Sequence, residues 1–242
     1  MCLFMAEFCQ HLRQTHKKRR RPGLQGRWAH VVNSIQQIIP SYELASSRIA
    51  LHADKRMRSE VAAFAVRRGS RVLDFGSGPG TLSRVVAKAG GKPVLLDASA
   101  AMLRAAPFAD KVQAIFEDLP FRDAVFDAVV SGFAIRDAID LPSTLSQARR
   151  VLKKGGRFAF CDLGKPASLV KALLVAAYMR TVPIIVGLAT AGRVGLKYES
   201  LYDTYLLVLN NLELAHALST VFVEVTFHET HMGGSIVAMC TR

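Results

Sequence analysis

An acidic residue and a glycine-rich loop follow one another at the end of an apolar run. Asp74 lies in the run RVLDF, and the loop GSGPG, residues 76–80, comes directly after it. Residues 80–89 have the pattern of a helix, so the loop lies where a helix N-terminus can bind an anion or a nucleoside. Glycines have no Cβ and let a ligand approach the backbone. The spacing therefore predicts a ligand-binding loop between a strand and its helix.

Two classes of ligand compete for such a loop. The dinucleotide fingerprint G-x-G-x-x-G lets a pyrophosphate approach the backbone. The spacing here is G-x-G-x-G, and Asp74 stands two positions before the first glycine. S-Adenosylmethionine has no phosphate; a carboxylate such as Asp74 can hold its ammonium group, directly or through water, and bare amides can receive its methionine part. The loop therefore favours S-adenosylmethionine.

A second carboxylate stands at the end of the next apolar run. Asp97 follows PVLL and precedes ASAAML. A carboxylate at this distance from the loop can accept hydrogen bonds from both hydroxyl groups of a ribose, a device that NAD-binding folds also use. The alternative role for Asp97 is to cap the following helix, which Ser99 can do instead. We assign the ribose to Asp97.

Short apolar runs alternate with helical patterns through the middle of the chain, which is typical of a doubly wound α/β fold with a mostly parallel sheet. Before the first strand, residues 45–67 read as one amphipathic helix that Gly69 ends. The predicted strands are 71–75, 93–96, 112–116, 126–131, 157–161, 221–227 and 235–240. The predicted helices are 80–89, 99–106, 141–152, one or two within 166–197, and 201–218.

The positive charge is concentrated near the start of the chain. The formal net charge is +13, and nearly half of it lies in residues 1–30, mainly in KKRRR. We predict a disordered basic arm over 1–30 and one folded domain over 31–242; a nuclear-localisation or nucleic-acid patch and a non-native leader are the alternatives for the arm. The run is not typical of a secretory signal.

The cysteines and the hydropathy pattern indicate in which cellular compartment the protein is expected. The four cysteines contain no C-x-x-C pair, so we predict no metal site, no disulfide framework and a reducing, cytoplasmic environment. No uncharged apolar run reaches the roughly 18 residues of a spanning helix, so none is expected.

Several segments together resemble class I S-adenosylmethionine-dependent methyltransferases. In chain order they are VLDFGSGPG, LDASAAML, FEDLPF, FDAVVSGFAIRD and ARRVLKKGGRF. More narrowly, GFAIRD is similar to the FGLRN signature of UbiE-type enzymes, which methylate a ring carbon in menaquinone and ubiquinone biosynthesis. DLGKP and MGGSIVA are similar to later segments of that family. The resemblance covers about residues 34–242 and implies a Rossmann-like, seven-stranded sheet that ends in a hairpin.

The resemblance also implies which residues bind the cofactor S-adenosylmethionine. They are Asp74, Gly76, Ser77, Gly78, Gly80, Asp97, Ala98, Met102, Phe116, Glu117, Ser131 and Gly132. Ile115 stands where the family has a small polar or acidic group for the adenine amine, so we assign that contact to the Phe116 backbone or to Glu117 or Asp118. The chain departs from the family at further positions. Pro79 stands where the family loop often has threonine, Gly132 where it often has serine, and Asp137 where the signature has asparagine. Tyr42-Glu43 stands where the family has Tyr-Asp.

The methyl acceptor implied by the resemblance is a reduced, lipid-tailed quinol. A ring carbon becomes nucleophilic when the neighbouring hydroxyl loses its proton, and Arg136 is the predicted catalytic residue that stabilises the phenolate or holds the water that takes the proton. Arginine cannot itself be the base. Asp137 is the second predicted catalytic residue, as proton acceptor, and Tyr198, Tyr202 and His231 are weaker candidates. The alternative for Arg136 is a structural pairing with a carboxylate.

The apolar insertion, residues 166–200, fits a cover for such a substrate. It can line an apolar channel or rest on a bilayer, with Arg180, Arg193 and Lys197 near anionic headgroups. A buried helix pair and a homodimer interface are the alternatives.

Other functions stay open at this point. They are a methyltransferase acting on RNA or a soluble small molecule, and a non-catalytic basic nucleic-acid-binding module. SGFA stands in place of the N-P-P-[YF] tetrapeptide of many amino-methylating enzymes, which argues against nucleic acid as the substrate. We therefore expect a cytoplasmic quinol methyltransferase, or one peripheral to the membrane.

Overall fold

The computed structural model describes residues 42–242, so the predicted basic arm lies outside the described residues. The strands are β1 (Arg71–Phe75), β2 (Lys92–Asp97), β3 (Lys111–Gln113), β4 (Phe126–Gly132), β5 (Leu152–Leu163), β6 (Glu224–Thr230) and β7 (Ser235–Thr241). The α-helices are α1 (Tyr42–Ile49), α2 (Asp54–Ala65), α3 (Thr81–Lys88), α4 (Ala100–Ala105), α5 (Leu141–Val151), α6 (Leu169–Ala191), α7 (Ser200–Leu207) and α8 (Asn211–Ser219). Short 3-10 turns cover Ile135–Asp137, Gly192–Glu199 and His231–Gly233.

The strands form a single seven-stranded sheet in the order β3-β2-β1-β4-β5-β7-β6. Strands β1 to β5 are parallel, and β7 lies antiparallel between β5 and β6. The predicted doubly wound, mostly parallel sheet with a terminal hairpin is therefore confirmed. The strand order reverses on the two sides of β1, and ligands of open α/β sheets bind at the carboxyl ends of the strands at such a point.

Alternate residues of the central strands pack on opposite faces of the sheet. Leu73 and Phe75 belong to the apolar core beneath α5, whereas Val72 packs against α2 and α3. Both faces of the parallel strands are covered, so the strands read as nearly continuous apolar runs. This is why the sequence predicted β1 with its observed bounds and β4 to within one residue at its end.

The helix predicted over residues 45–67 is two helices in the structure. The chain leaves α1 after Ile49, and Leu51 and His52 adopt left-handed backbone conformations with φ of 50° and 61°. The second helix, α2, then begins at Asp54, whose carboxylate is favourable at a helix N-terminus. The single-helix prediction was wrong because apolar periodicity alone does not reveal the four-residue turn, residues 50–53, between the helices.

The helix predicted over residues 201–218 is also divided. Asn210 caps α8: its side chain accepts the backbone N–H of Glu213 at 3.0 Å, and the Glu213 carboxylate accepts the N–H of Asn210 at 3.0 Å. This reciprocal capping box starts a new helix after α7. The motif N-x-x-E was visible in the sequence and could have placed the boundary.

The insertion is one long helix, α6, followed by a 3-10 turn that packs against it. Gly187 and Gly195 make this approach possible, because a Cβ on Gly195 would lie 2.0 Å from the carbonyl carbon of Gly187. By length and composition alone, the segment from Leu169 to Leu207 could cross a membrane, and a third of its most apolar window is buried in the fold. The charges of Lys171 and Arg180 interrupt this segment, so the search for an uncharged run missed it.

Candidate active site

The glycine loop connects β1 to α3 in a conformation that requires glycine. Gly76, Gly78 and Gly80 have φ of 63°, 53° and 82°. A Cβ on Gly76 would lie 2.4 Å from the Cβ of Ala134 and 3.0 Å from the Phe116 ring. A side chain at Gly76 would therefore displace the chain that follows β4, and L residues are strained at all of these angles.

Asp97, at the end of β2, accepts a hydrogen bond that holds the glycine loop in place. Its Oδ2 accepts the Gly78 N–H at 2.9 Å, and its Oδ1 accepts the Ser99 N–H at 2.8 Å. Burial raises the pKa of Asp97, and these N–H groups oppose the shift. The helix cap of α4 is Ser99, whose Oγ accepts the Met102 N–H at 3.3 Å. Each oxygen of Asp97 keeps a second lone pair, so the carboxylate retains the acceptors that a ribose needs.

Asp74 is fully buried beneath the loop. Ser83 of α3 donates a hydrogen bond to its Oδ2 at 2.6 Å, whereas its Oδ1 has no partner in the described part of the chain. Burial raises the pKa of Asp74 to about 7, and the Ser83 hydroxyl and Arg58 oppose that rise. A buried carboxylate oxygen without a donor matches the ammonium group of the cofactor, so this residue fits its predicted role.

Replacing Asp74 by asparagine should stabilise the ligand-free protein at alkaline pH and weaken cofactor binding at least about ten-fold. The folded-state pKa of about 7 lies above the ordinary 3.8, so the favourable protonated form is lost as pH rises through 7. Asparagine keeps an oxygen that can accept the hydrogen bond from Ser83, and it is uncharged at every pH, so its burial does not become less favourable as the pH rises. The melting temperature of the variant should exceed that of the wild type by several degrees at pH 8.5 and by less at pH 5.

Thermal melts at both pH values and calorimetric titration with S-adenosylhomocysteine measure the two effects. Asp110→Asn, at an exposed position, is the matched control and should change neither. Equal stability of wild type and Asp74→Asn at pH 8.5 would show that the Asp74 carboxylate carries no burial penalty.

Several of the remaining predicted cofactor residues lie close to the glycine loop. Phe116 stacks on Phe75, with ring centroids 5.2 Å apart and an interplanar angle of 6°, and borders the loop. Met102 is buried, and its sulfur would lie 4.0 Å from a Cβ on Gly78. Ala98 follows Asp97 directly. Phe116 and Met102 lie against the loop, and the contact of all three residues with the cofactor stays a prediction. The Ser77 hydroxyl is buried without a partner in the described residues, so it also remains open to a ligand.

Glu117 and Ser131 use polar atoms in hydrogen bonds within the chain, and their contact with the cofactor stays a prediction. The Oε1 of Glu117 accepts hydrogen bonds from the N–H groups of Ile139 and Asp140 and from the Thr144 hydroxyl, at 2.7 to 3.0 Å. Glu117 therefore fixes the start of α5 and does not leave this oxygen for adenine. Ser131 is fully buried and donates to the carbonyl of Phe75 at 2.8 Å, so its hydroxyl ties β4 to β1.

Arg136 lies in the 3-10 turn after β4 and forms a buried ion pair. Its Nη1 donates to Asp162 Oδ1 at 2.8 Å, its backbone N–H donates to Asp162 Oδ2 at 3.0 Å, and Nη1 also meets the carbonyl of Phe133. The two ionic side chains are 6% and 3% exposed. The structural pairing that the sequence left open is therefore present, and Arg136 also lines the cavity described below.

Asp137 lies beside this pair and is partly buried. Its Oδ1 lies 3.7 Å from the Arg136 Nε. Burial raises the pKa of Asp137 to about 6, and Arg136 opposes the rise. Above pH 6 it is an ionised carboxylate, as a proton acceptor must be, but it is not among the residues that line the cavity. Its role as direct proton acceptor stays a prediction.

A cavity of about 420 Å³ adjoins the end of β4. Its wall comes from α1, α2, α6, the 3-10 turn before α7 and the turn between β6 and β7, and it is mostly apolar. The charged and polar side chains in the wall are Ser46, Asp54, Arg58, Arg136, Tyr178, Tyr198, Ser200, His231 and Ser235. Of the weaker candidates, Tyr198 and His231 line the cavity, whereas Tyr202 does not.

Sequence reasoning missed Asp54 and Arg58. The signal was an acid and an arginine four residues apart in a predicted helix, a spacing that places them on one face. Among residues 42–242, no group of three or more histidines, cysteines or acids could hold a metal ion.

The comparisons with known proteins agree with this geometry. A family model described as "Methyltransferase domain" matches residues 73–160. A solved S-adenosylmethionine-dependent methyltransferase from Thermotoga maritima has the same fold, with a TM-score of 0.62 and 17% identity over 86% of this chain and 98% of that one. The protein is a class I S-adenosylmethionine-dependent methyltransferase, and S-adenosylmethionine is its cofactor.

Curated relatives define the family more narrowly. The chain is 33% identical over 141 residues to demethylmenaquinone methyltransferase of Streptomyces avermitilis, and the match covers 56% of this chain and 61% of that protein. It is 32% identical over 158 residues to the Mycobacterium marinum demethylmenaquinone methyltransferase, covering 63% and 68%. The chain belongs to this UbiE-type family of methyltransferases.

Proposed function

We propose that this enzyme methylates a ring carbon of a reduced, demethylated prenylquinone of the menaquinone or ubiquinone type. The observation that carries the proposal is the apolar cavity next to the end of β4, whose wall contains Arg58 and Arg136. An apolar chamber suits a quinol ring and its isoprenoid tail, and buried cations suit its ionised hydroxyl. The names of the relatives favour a naphthoquinol head over a benzoquinol head.

The residues of the chain supply orientation and charge for this reaction. Bound S-adenosylmethionine supplies an electrophilic methyl group on its sulfonium. Asp74, Asp97 and the loop would hold the ammonium, the ribose and the methionine part. The apolar wall excludes water and keeps the acceptor ring facing the cofactor, which contributes through proximity. The buried guanidinium groups favour the phenolate form of the acceptor, because a charge acts more strongly in a low-dielectric cavity.

Transfer of labelled methyl from S-adenosylmethionine tests the proposal directly. The acceptors are demethylmenaquinol, demethylubiquinol and, as a control, tRNA. We expect transfer to a quinol, with the naphthoquinol preferred, and none to tRNA. Transfer to tRNA alone, or no transfer to any quinol under reducing conditions, would remove quinol methylation.

The outer face of α6 suggests how a lipid-tailed substrate reaches the cavity. Val170, Ile185 and Leu188 recur on one face of the helix and are 43% to 68% exposed. The inner face of α6 lines the cavity. Exposed basic residues, Lys171, Arg180, Arg193 and Lys197, lie on or next to the helix. We propose that this face rests on an anionic bilayer at the cytoplasmic surface, from which the substrate enters.

Substituting Val170 and Ile185 by serine should reduce binding to anionic vesicles about ten-fold or more, because each exposed side chain loses roughly 1.5 kcal/mol or more of apolar transfer. Co-sedimentation with phosphatidylglycerol vesicles measures the binding. Val223→Ser, at a position 79% exposed in the loop before β6, is the control and should bind as the wild type does. Equal binding of the double variant and the wild type would remove α6 as the lipid-binding face.

A further inference from the structure

Arg58 is a buried cation in the cavity wall. It lies within α2 and is 5% exposed. Its Nη1 donates to Asp54 Oδ2 at 2.7 Å, and Ser47 donates to the other oxygen of Asp54 at 2.9 Å. The guanidinium carbon lies 4.9 Å from the centroid of the Phe133 ring. The carboxylate and the ring together fix the orientation of the guanidinium group.

One nitrogen of this group, Nε, has no hydrogen-bond partner in the part of the chain that the structure describes. The Arg58 Nε is buried and donates to no acceptor within the described residues. A buried donor left without an acceptor costs about 1–3 kcal/mol. The Arg58 side chain lines the cavity, so a ligand bound there can supply the missing acceptor.

The Nε lies at the boundary between the cofactor loop and the cavity. A Cβ on Gly132 would lie 3.3 Å from it, so glycine at the end of β4 leaves room for this atom. Gly132 follows directly on Ser131, which pairs with Phe75 at the start of the cofactor loop. In a quinol, the carbon that receives a methyl group is bonded to the carbon that carries the ionised hydroxyl. An acceptor with its reacting carbon toward the cofactor thus brings this oxygen to the same boundary.

We propose that Arg58 donates its Nε–H to the ionised hydroxyl of the methyl acceptor and is the oxyanion-stabilising residue of the site. The proposal rests on the proposed function, because it takes an aromatic hydroxyl as the ligand. The acceptor binds as its anion and releases its proton to solvent, and Asp54 and Phe133 keep the guanidinium in place. Arg136 has a different position, since both its backbone N–H and its Nη1 bind Asp162.

A chromogenic phenol tests this contact without requiring turnover. The absorbance of 4-nitro-1-naphthol distinguishes phenol from phenolate, so a pH titration with S-adenosylhomocysteine present gives the pKa of the bound probe. We expect the wild type to lower this pKa by about one unit or more relative to the free probe, because a buried cation stabilises the anion. Arg58→Gln should abolish most of that decrease and reduce methyl transfer to the quinol about 100-fold.

Matched variants separate this contact from folding. Arg58→Gln leaves Asp54 without its cation, so the double variant Asp54→Asn, Arg58→Gln is measured beside it and should keep the melting temperature closer to that of the wild type. Arg56→Gln is the control, because Arg56 is exposed on the same helix. Arg58→Lys should restore only part of the effect, since it retains a charge without the Nε donor.

Two results would overturn the proposal. One is a folded Arg58→Gln, or the double variant, in which the pKa of the bound probe equals that of the wild type. The other is a ten-fold or greater loss of S-adenosylhomocysteine affinity with an unchanged probe pKa, because Nε would then serve the cofactor carboxylate. Failure of the wild type to methylate any quinol would remove the proposed function instead, and the probe titration would still report on Arg58.

Discussion

Replacing Asp97 by alanine should weaken the binding of S-adenosylmethionine and S-adenosylhomocysteine by about 100-fold or more. Each hydrogen bond from a ribose hydroxyl to a carboxylate contributes about 1.5–3 kcal/mol, and Asp97 has an acceptor for both hydroxyls. The substitution also releases the Gly78 N–H, which the carboxylate now holds at 2.9 Å. Isothermal calorimetry with S-adenosylhomocysteine measures the loss.

Ser99→Ala is the control that distinguishes ribose binding from helix capping. Ser99 is the observed cap of α4, so its loss should cost about 1 kcal/mol of stability and change cofactor affinity by no more than a few-fold. An analogue that lacks the ribose 2′-hydroxyl sharpens the test. It should bind the wild type weakly, whereas Asp97→Ala should bind it and the complete compound almost equally. Cofactor affinity in Asp97→Ala within five-fold of the wild type would exclude Asp97 from ribose binding.

The cofactor half of the enzyme could be predicted from sequence because its signals are local. Strand β1, the loop and Asp97 all lie within one strand–helix–strand unit, and the required glycines are a direct consequence of positive φ at residues 76, 78 and 80. The position of Asp97 beside the loop follows from the parallel pairing of β1 with β2. Neither inference needs knowledge of distant packing.

The acceptor half could not be predicted in the same way because its residues acquire their environment from distant segments. Lys55 and Arg56 follow Asp54 and are exposed, so the sequence around Arg58 resembles a solvated basic face. Arg58 and Asp54 are buried because Phe133 and the cavity wall formed by α6 cover them. Glu117 likewise reads as a cofactor ligand until the start of α5, more than twenty residues further on, supplies the donors for its carboxylate.

Replacing Arg136 by alanine should reduce turnover about 100-fold and lower stability, while cofactor affinity stays within a few-fold of the wild type. Removing one partner of a buried ion pair typically costs about 3–5 kcal/mol, because the other charge is left uncompensated. Here that charge is Asp162, which is paired with Arg136, and Arg136 lines the cavity in which the acceptor must become an anion. Like charges in a low-dielectric site raise the pKa of the acceptor hydroxyl, so the activity profile should also move to higher pH. Labelled methyl transfer across pH 6 to 9, thermal melts and calorimetry follow the three effects.

A second substitution separates this electrostatic role from direct catalysis by Arg136. Asp162→Asn, introduced in the Arg136→Ala background, removes the uncompensated charge and leaves an amide oxygen that still accepts one of the neighbouring backbone N–H groups. If Arg136 acts mainly by neutralising Asp162, the double variant should regain about ten-fold in turnover and return its pH profile toward that of the wild type. If the guanidinium itself contacts the reacting oxygen, stability should recover while turnover remains low. Full activity in Arg136→Ala alone would remove this residue from the mechanism, and Arg58 would then be the cation on which phenolate formation depends.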